Sequence, residues 1–170
     1  MTTTKFSQYF VLGLAGVWTA WLAGSPPEIT PLGVGDIRFG MPLADVENAL
    51  GHPFEWEEVL GGCGHGTPKG WADGMQLMVY DGVVPRVDVW HGEGRTEDGF
   101  GIGTREAELL EFFGENAEIG PHPYVDEGHY VTVPWREDTI FRYIFETEGD
   151  TVTSFRAGRL PEVRWIEGCL

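Results

Sequence analysis

The sequence predicts an α+β fold behind a single N-terminal transmembrane helix. Three observations carry that expectation: an uncharged apolar run from Phe6 to Gly24, a glycine-bounded segment that occurs twice, and a β-hairpin pattern after each copy. The chain then divides into a membrane anchor (1–24), a proline-rich linker (25–32), a first α+β repeat (33–95) and a second (96–170).

The apolar run comes first. Its end, Leu22-Ala23-Gly24-Ser25, has the form of a lipoprotein signal box with serine in place of the cysteine that would carry lipid. Trp21 and Pro26 also make poor neighbours for a signal-peptidase cut. The run therefore reads as a retained anchor, with a cleaved signal as the alternative. About 19 residues at ~1.5 Å each span roughly 28 Å, close to a ~30 Å hydrocarbon core. Lys5 is the only charge before the run, so the N-terminus is expected inside a bacterial inner membrane and the acidic remainder outside. Trp18 and Trp21 then lie near the outer interface. No histidine occurs in the span, so it supplies no axial imidazole to a chlorophyll or haem. Gly13, Gly16, Ala20 and Gly24 form a stripe of small residues suited to close approach of another transmembrane helix, although such residues are common in any leader. The prolines of Ser25–Pro31 favour an extended spacer.

The repeat organises the rest. Gly40-Met41-Pro42-Leu43-Ala44-Asp45-Val46-Glu47-Asn48-Ala49-Leu50-Gly51 is echoed from Gly103 to Gly114 at a constant offset of 63. Each copy predicts a short amphipathic helix, with Leu43, Val46 and Leu50 on one face and Leu109, Phe112 and Phe113 on its counterpart. Pro42 suits a first helical position, Thr104 an N-cap, and Gly51 and Gly114 the stops. Met75–Tyr80, a turn at Asp81-Gly82 and Val83–Trp90 predict one hairpin. Thr139–Thr147, a turn at Glu148–Asp150 and Thr151–Ala157 predict the other. Val84, Val87 and Val89 align with Val152, Phe155 and Ala157. Further strands are expected at His129–Val133 and Val163–Ile166.

The repeated Gly-x-Pro/Thr-x-x-acidic-aliphatic pattern, the glycine-rich hairpin after it and the terminal Glu167-Gly168-Cys169 resemble the beta-lactamase inhibitory protein superfamily and the related SmpA/OmlA outer-membrane assembly lipoproteins. The resemblance spans roughly Gly33 to Cys169. It implies an extracytoplasmic protein that binds other proteins rather than catalysing a reaction. Ser25 departs from the lipoprotein members.

Charge and chemistry narrow the function. Twenty-seven acidic against eleven basic residues give a formal charge of −16, which repels nucleic acid and anionic headgroups and suits a cationic protein surface, solubility or salt adaptation. Cys63 and Cys169, an even pair expected outside the cytoplasm, predict a disulfide. Closing that loop of 106 residues would contribute about 4 to 5 kcal/mol in the chain-entropy model. Cys63 and His65 as metal ligands are the competing reading, but no second pair has zinc-like spacing. No phosphate-cradling loop, haem-attachment site, His-Glu-x-x-His or nucleophile elbow is present, and no cofactor is implied. His52, His65, His91, His122 and His129 could meet only through folding. Glu57-Glu58 and Glu97-Asp98 are acid pairs expected by chance in so acidic a chain.

The alternation along Val83–Trp90 puts Val87 and Val89 on the helix-covered side and Arg86, Asp88 and Trp90 on the other, with Arg156 beside them. An antiparallel sheet covered on one side leaves its second face open, so these four residues form the expected protein interface. The sequence thus points to a non-enzymatic accessory subunit bracing the outer side of an integral membrane complex, whether photosynthetic, respiratory or envelope-building. A secreted or periplasmic enzyme, inhibitor or small-ligand binder is the alternative.

Overall fold

The computed structural model describes residues 27–136 and 138–170. The expected anchor, with Gly13, Gly16, Ala20 and Gly24, lies outside the described residues. Among the described residues no helix is long and apolar enough to cross a membrane.

The described residues form a sheet-rich α+β fold. Its helices, α1 (Leu43–Leu50) and α2 (Glu106–Phe113), are eight residues each and lie on the two copies of the glycine-bounded segment. Pro42 approaches α1 in extended conformation, and Gly51 closes it at φ 74°, giving its N–H to the carbonyls of Glu47 and Asn48. Val46 is buried, with Leu43 and Leu50 packed on the same core. The predicted cap of α2 is corrected: Thr104 Oγ1 accepts the N–H of Gly101 at 3.0 Å, tightening the turn before the helix, and Arg105 holds the N-cap position without a side-chain cap. Leu109 is buried and Phe113 packs against the core, but Phe112 is 58% exposed. Three residues from Leu109 it stands about 60° round the helix, at the margin of the contact, edge-on to Phe100.

Before α1, three two-residue strands, β1 (Ile29–Thr30), β2 (Gly33–Val34) and β3 (Ile37–Arg38), form a small meander. Tyr143 Oη fastens it by donating to the Ile29 carbonyl at 3.0 Å, and burial, followed by the Glu97 charge, pushes that phenol's pKa up. β4 (Met41–Pro42) leads into α1.

The remaining strands are β5 (Glu57–Leu60), β6 (Cys63–Gly66), β7 (Met75–Tyr80) and β8 (Val83–Val89) in the first repeat. The second contributes β9 (Glu118–Pro121), β10 (His129–Trp135), β11 (Asp138–Glu148) and β12 (Thr151–Arg159). All join one sheet in the order β5-β6-β7-β8-β12-β11-β10-β9, with β4 also pairing with β8. Both predicted hairpins are present. Asp81 at φ 49° and Gly82 at φ 74° give the first the left-handed turn that matches strand twist. Tyr80 faces Val83 as Glu148 faces Thr151, so the hairpins repeat at an offset of 68 while the helices repeat at 63. The repeats meet where Arg86, Val87, Asp88 and Val89 pair antiparallel with Gly158, Ala157, Arg156 and Phe155.

The helix-covered face carries the core: Met75, Leu77, Val87, Val89, Val131, Tyr143, Phe145, Phe155 and Ala157 are all buried. Sequence reasoning had no strand for Gly61-Gly62-Cys63-Gly64-His65-Gly66, yet β6 runs through it. Alternation explains the composition. Cys63 and His65 lie on the far face, while Gly64 and Gly66 let the chain before β5 fold close. A Cβ on Gly64 would overlap the Glu57 carbonyl and come within 2.7 Å of Trp56, and one on Gly66 would reach 2.8 Å from Phe54. Gly64→Ala should therefore cost about 2 kcal/mol or more of unfolding free energy in urea titration, through a contact that backbone must yield to relieve. Gly120→Ala, with no atom within 4 Å of the added carbon, should stay within about 0.5 kcal/mol of the parent.

Candidate functional site

The far face of the sheet is not open. The predicted strand at Val163–Ile166 is instead part of a strap, Leu160–Leu170, that crosses this face after a cis Leu160–Pro161 bond and makes one turn of 3-10 helix at Glu162–Arg164. The strap forms no ladder because arginine side chains take its carbonyls. Arg86 donates from Nη1 to the carbonyls of Glu162 and Trp165, both at 2.7 Å, and from Nε to Asp88 Oδ2 at 2.9 Å. Arg156 Nε donates to the Val163 carbonyl at 2.7 Å. It also pairs with Glu146 and lies over the Tyr130 ring.

This corrects the expected interface. Arg86, Asp88 and Arg156 retain only 1%, 1% and 2% exposure, so no partner can reach them while the strap is seated. Trp90, just past the end of β8, is 46% exposed and is the one residue of the four at the surface. Backbone clearances are adapted to the arginine. Gly158 faces Arg86 across the repeat junction, where a side chain would run into the Arg86 Cβ and the Pro85 carbonyl. Gly168, at φ 65°, brings the strap alongside His65 and the Arg86 guanidinium.

The strap's end is stapled. Cys63 and Cys169 form the disulfide pair predicted from the cysteine count, with Cα atoms 5.4 Å apart. Met78 packs beneath it, and Tyr80 meets Trp165 edge-on at 4.8 Å. His65 Nδ1 lies 3.8 Å from Cys169 Sγ, and its Nε2 lies 3.9 Å from the Asp88 carboxylate with no hydrogen-bond partner of its own. Burial lowers the imidazole pKa, the Asp88 charge opposes that, and the Arg86 charge adds to it.

The other histidines are occupied separately: His122 faces Glu146 at 3.4 Å, and His129 donates to Glu106 at 2.9 Å, where Thr147 also donates. His52 Nδ1 sits 2.8 Å from the Pro53 carbonyl, and the His91 ring lies against Gly74. Among the described residues no group of three His, Cys, Asp or Glu could hold a metal ion, and Cys63 and His65 find no third ligand. Sequence reasoning missed the Glu106–His129–Thr147 tie, which fastens the start of α2 to the sheet; nothing in the spacing announces it.

Two grooves flank the strap. The larger, of about 650 Å³, is lined by Leu60, Tyr80, Trp165, Ile166 and Leu170 beside the disulfide. The smaller, about 330 Å³, lies on the other side against Ile119, Tyr130, Ile144 and Arg164. Exposed aliphatic side chains, Leu60 at 67% and Leu170 at 86%, stand on the rim of the larger. What the face offers a partner is thus its rim, with the charged centre sealed. No protein-family model, curated protein or solved structure matches this chain.

Arg86→Met keeps most of the volume but strands the buried Asp88 carboxylate and two strap carbonyls. We expect a loss of about 3 kcal/mol in urea unfolding and faster amide exchange across Glu162–Cys169; unchanged exchange there would show that the strap is held by the disulfide alone. His65 sets a pH dependence. Its pKa is lower folded than unfolded, so below the ordinary value near 6.5 the unfolded chain binds the proton more readily. Stability from this residue is complete above that pH and declines as pH falls toward the folded-state value. The unfolding midpoint of His65→Gln, measured from pH 8 to 5, should fall less steeply than the parent's.

Proposed function

We propose that this protein is a non-enzymatic, membrane-anchored accessory subunit whose extracytoplasmic domain braces a larger integral membrane protein complex. The observation that carries the reading is the division of the strap face: Arg86, Asp88, Arg156 and Glu146 at its centre are paired with one another or with strap carbonyls, while apolar side chains stand exposed at the rim. Buried charges already paired offer a substrate little, whereas exposed Leu60, Leu170 and Trp90 are groups a protein partner desolvates with gain. The cysteine pair at bonding distance supports an oxidising compartment, consistent with the outward placement that Lys5 and the acidic remainder favour. The likeness to the beta-lactamase inhibitory protein superfamily points the same way. The larger groove favours the alternative, a small-ligand-binding protein, since its volume is that of a ligand site.

Purification in mild detergent from the native source discriminates the two. A stoichiometric integral-membrane companion is expected; a lone protein carrying a small ligand would establish the alternative. Trp90→Ala should weaken that association, by roughly 2 kcal/mol if Trp90 is an anchor, while leaving unfolding within about 0.5 kcal/mol. Gly13→Leu/Gly16→Leu should also weaken it by excluding a neighbouring helix.

A further inference from the structure

The features that the brace leaves unassigned converge on one edge of the sheet. β5 ends the strand order, and among the described residues no other strand lies along its outer side. Its four residues, Glu57-Glu58-Val59-Leu60, are all exposed, with Val59 at 51% and Leu60 at 67%. Sheet edges are commonly blunted by charge, proline or brevity, and the opposite edge, β9, ends in Pro121. β5 is equally short, but it carries charge only in its first half and leaves Val59 and Leu60 apolar in the second. Register fixes which way its residues face: Glu57 pairs with His65 on the strap side and Glu58 with Gly64 on the other, and a register shift at Val59 brings Leu60, paired with Cys63, back to the strap side. Leu60 therefore continues directly into the larger groove, against Ile166 and Leu170.

We propose that β5 is a docking edge, completed by an extended segment of the partner protein that carries two adjacent basic residues next to two aliphatic ones and adds as a further strand. This rests on the accessory-subunit reading and names the partner's chemistry. Main-chain hydrogen bonds along β5 would supply affinity without regard to sequence. Specificity follows from alternation. Consecutive side chains of an added strand lie on opposite faces, so two adjacent cations meet Glu58 on one side and Glu57 on the other. Past the register shift at Val59 the aliphatic pair flanks Leu60, with one side chain on the strap side at the mouth of the groove. A second copy of this chain fits poorly: two β5 edges paired antiparallel in centred register set Glu57 against Leu60, and each chain brings a formal −16.

The test uses the full chain in detergent and a fluorescent peptide, acetyl-Thr-Ile-Val-Arg-Lys-Thr-amide, ordered so that antiparallel addition sets its basic pair against Glu58 and Glu57, with a control in which glutamates replace the Arg-Lys pair. Anisotropy should show saturable binding of the basic peptide only, weakened in about 0.5 M salt. Glu57→Lys/Glu58→Lys should weaken that peptide by about tenfold or more and admit the acidic control, a gain that an unfolded variant could not show. Leu60→Asp should weaken the basic peptide without admitting the acidic one. Absence of saturable binding to the parent protein, or equal binding by parent and both variants, overturns the proposal. Co-purification separates this failure from that of the brace. A membrane companion retained undiminished by Glu57→Lys/Glu58→Lys overturns the docking edge and leaves the accessory role standing, whereas absence of any companion for the parent overturns the role itself.

Discussion

The Arg86 guanidinium is the group around which the far side of this protein is arranged. An arginine with 1% exposure cannot be hydrated, so its donors must find acceptors inside the fold. Asp88 supplies one, two residues along the same strand and on the same face. Two more come from main-chain carbonyls of Glu162 and Trp165, which a regular strand would have used in a ladder. The strap is therefore irregular for a reason. Its backbone is turned toward arginine side chains, and Arg156 repeats the arrangement at Val163. A sheet with an open second face would have left these donors to water; the strap exchanges water for carbonyls and in doing so seals the face.

Stability and access follow from that seal. Buried ion pairs are poor sources of net stability, because desolvation offsets much of the attraction, but removing one member is severe. The centre of the face consequently acts as a lock more than as a glue. The disulfide then fixes the last turn of the strap to β6, at a point where the arginines no longer reach. Beyond the lock, the sheet edge and rim are free to differ in character: aliphatic groups stand in solvent there while Arg86 and Asp88, and Arg156 and Glu146, are paired at the centre. A surface built this way offers contact area at its margins and no charged cleft at its middle.

The repeat, both hairpins, the helix stops and the cysteine pair were legible because each rests on local rules: period, turn chemistry and count. The helix-covered side of β8 was legible too, since Val87 and Val89 alternate cleanly. The other side was misread for a definite reason. Alternating Arg and Asp look the same in sequence whether they face water or a covering segment, and the segment that covers them lies more than seventy residues away. Val163–Ile166 is apolar enough to resemble a strand, but turn hydrogen bonds onto Pro161, Glu162 and Trp165 and the arginines' hold on its carbonyls fold it otherwise. β6 was hidden by its glycines, which usually signal turns but here mark close approach beneath Trp56 and Phe54.

Duplication gives the charged centre a further logic. At the hairpin offset of 68, Asp88 corresponds to Arg156, and these two residues are also direct cross-strand partners where the repeats meet. That pair therefore sits at the local axis relating the two halves. In an unmodified duplication both positions would hold the same residue, and two identical charges about 5 Å apart on a buried face would repel with nothing to screen them. The pair can be charged and buried only if the copies differ. Here they differ in sign, and each then recruits its own partner from its own repeat, Arg86 for Asp88 and Glu146 for Arg156. His65 and Tyr130, which face Met78 and Glu146 across their strands at that same offset, complete the divergence by placing an imidazole beside the disulfide in one half and a phenol ring under a guanidinium in the other. The far-face residues at the junction are thus complementary across the repeated sequence pattern, and it is this complementarity that the C-terminal strap closes over.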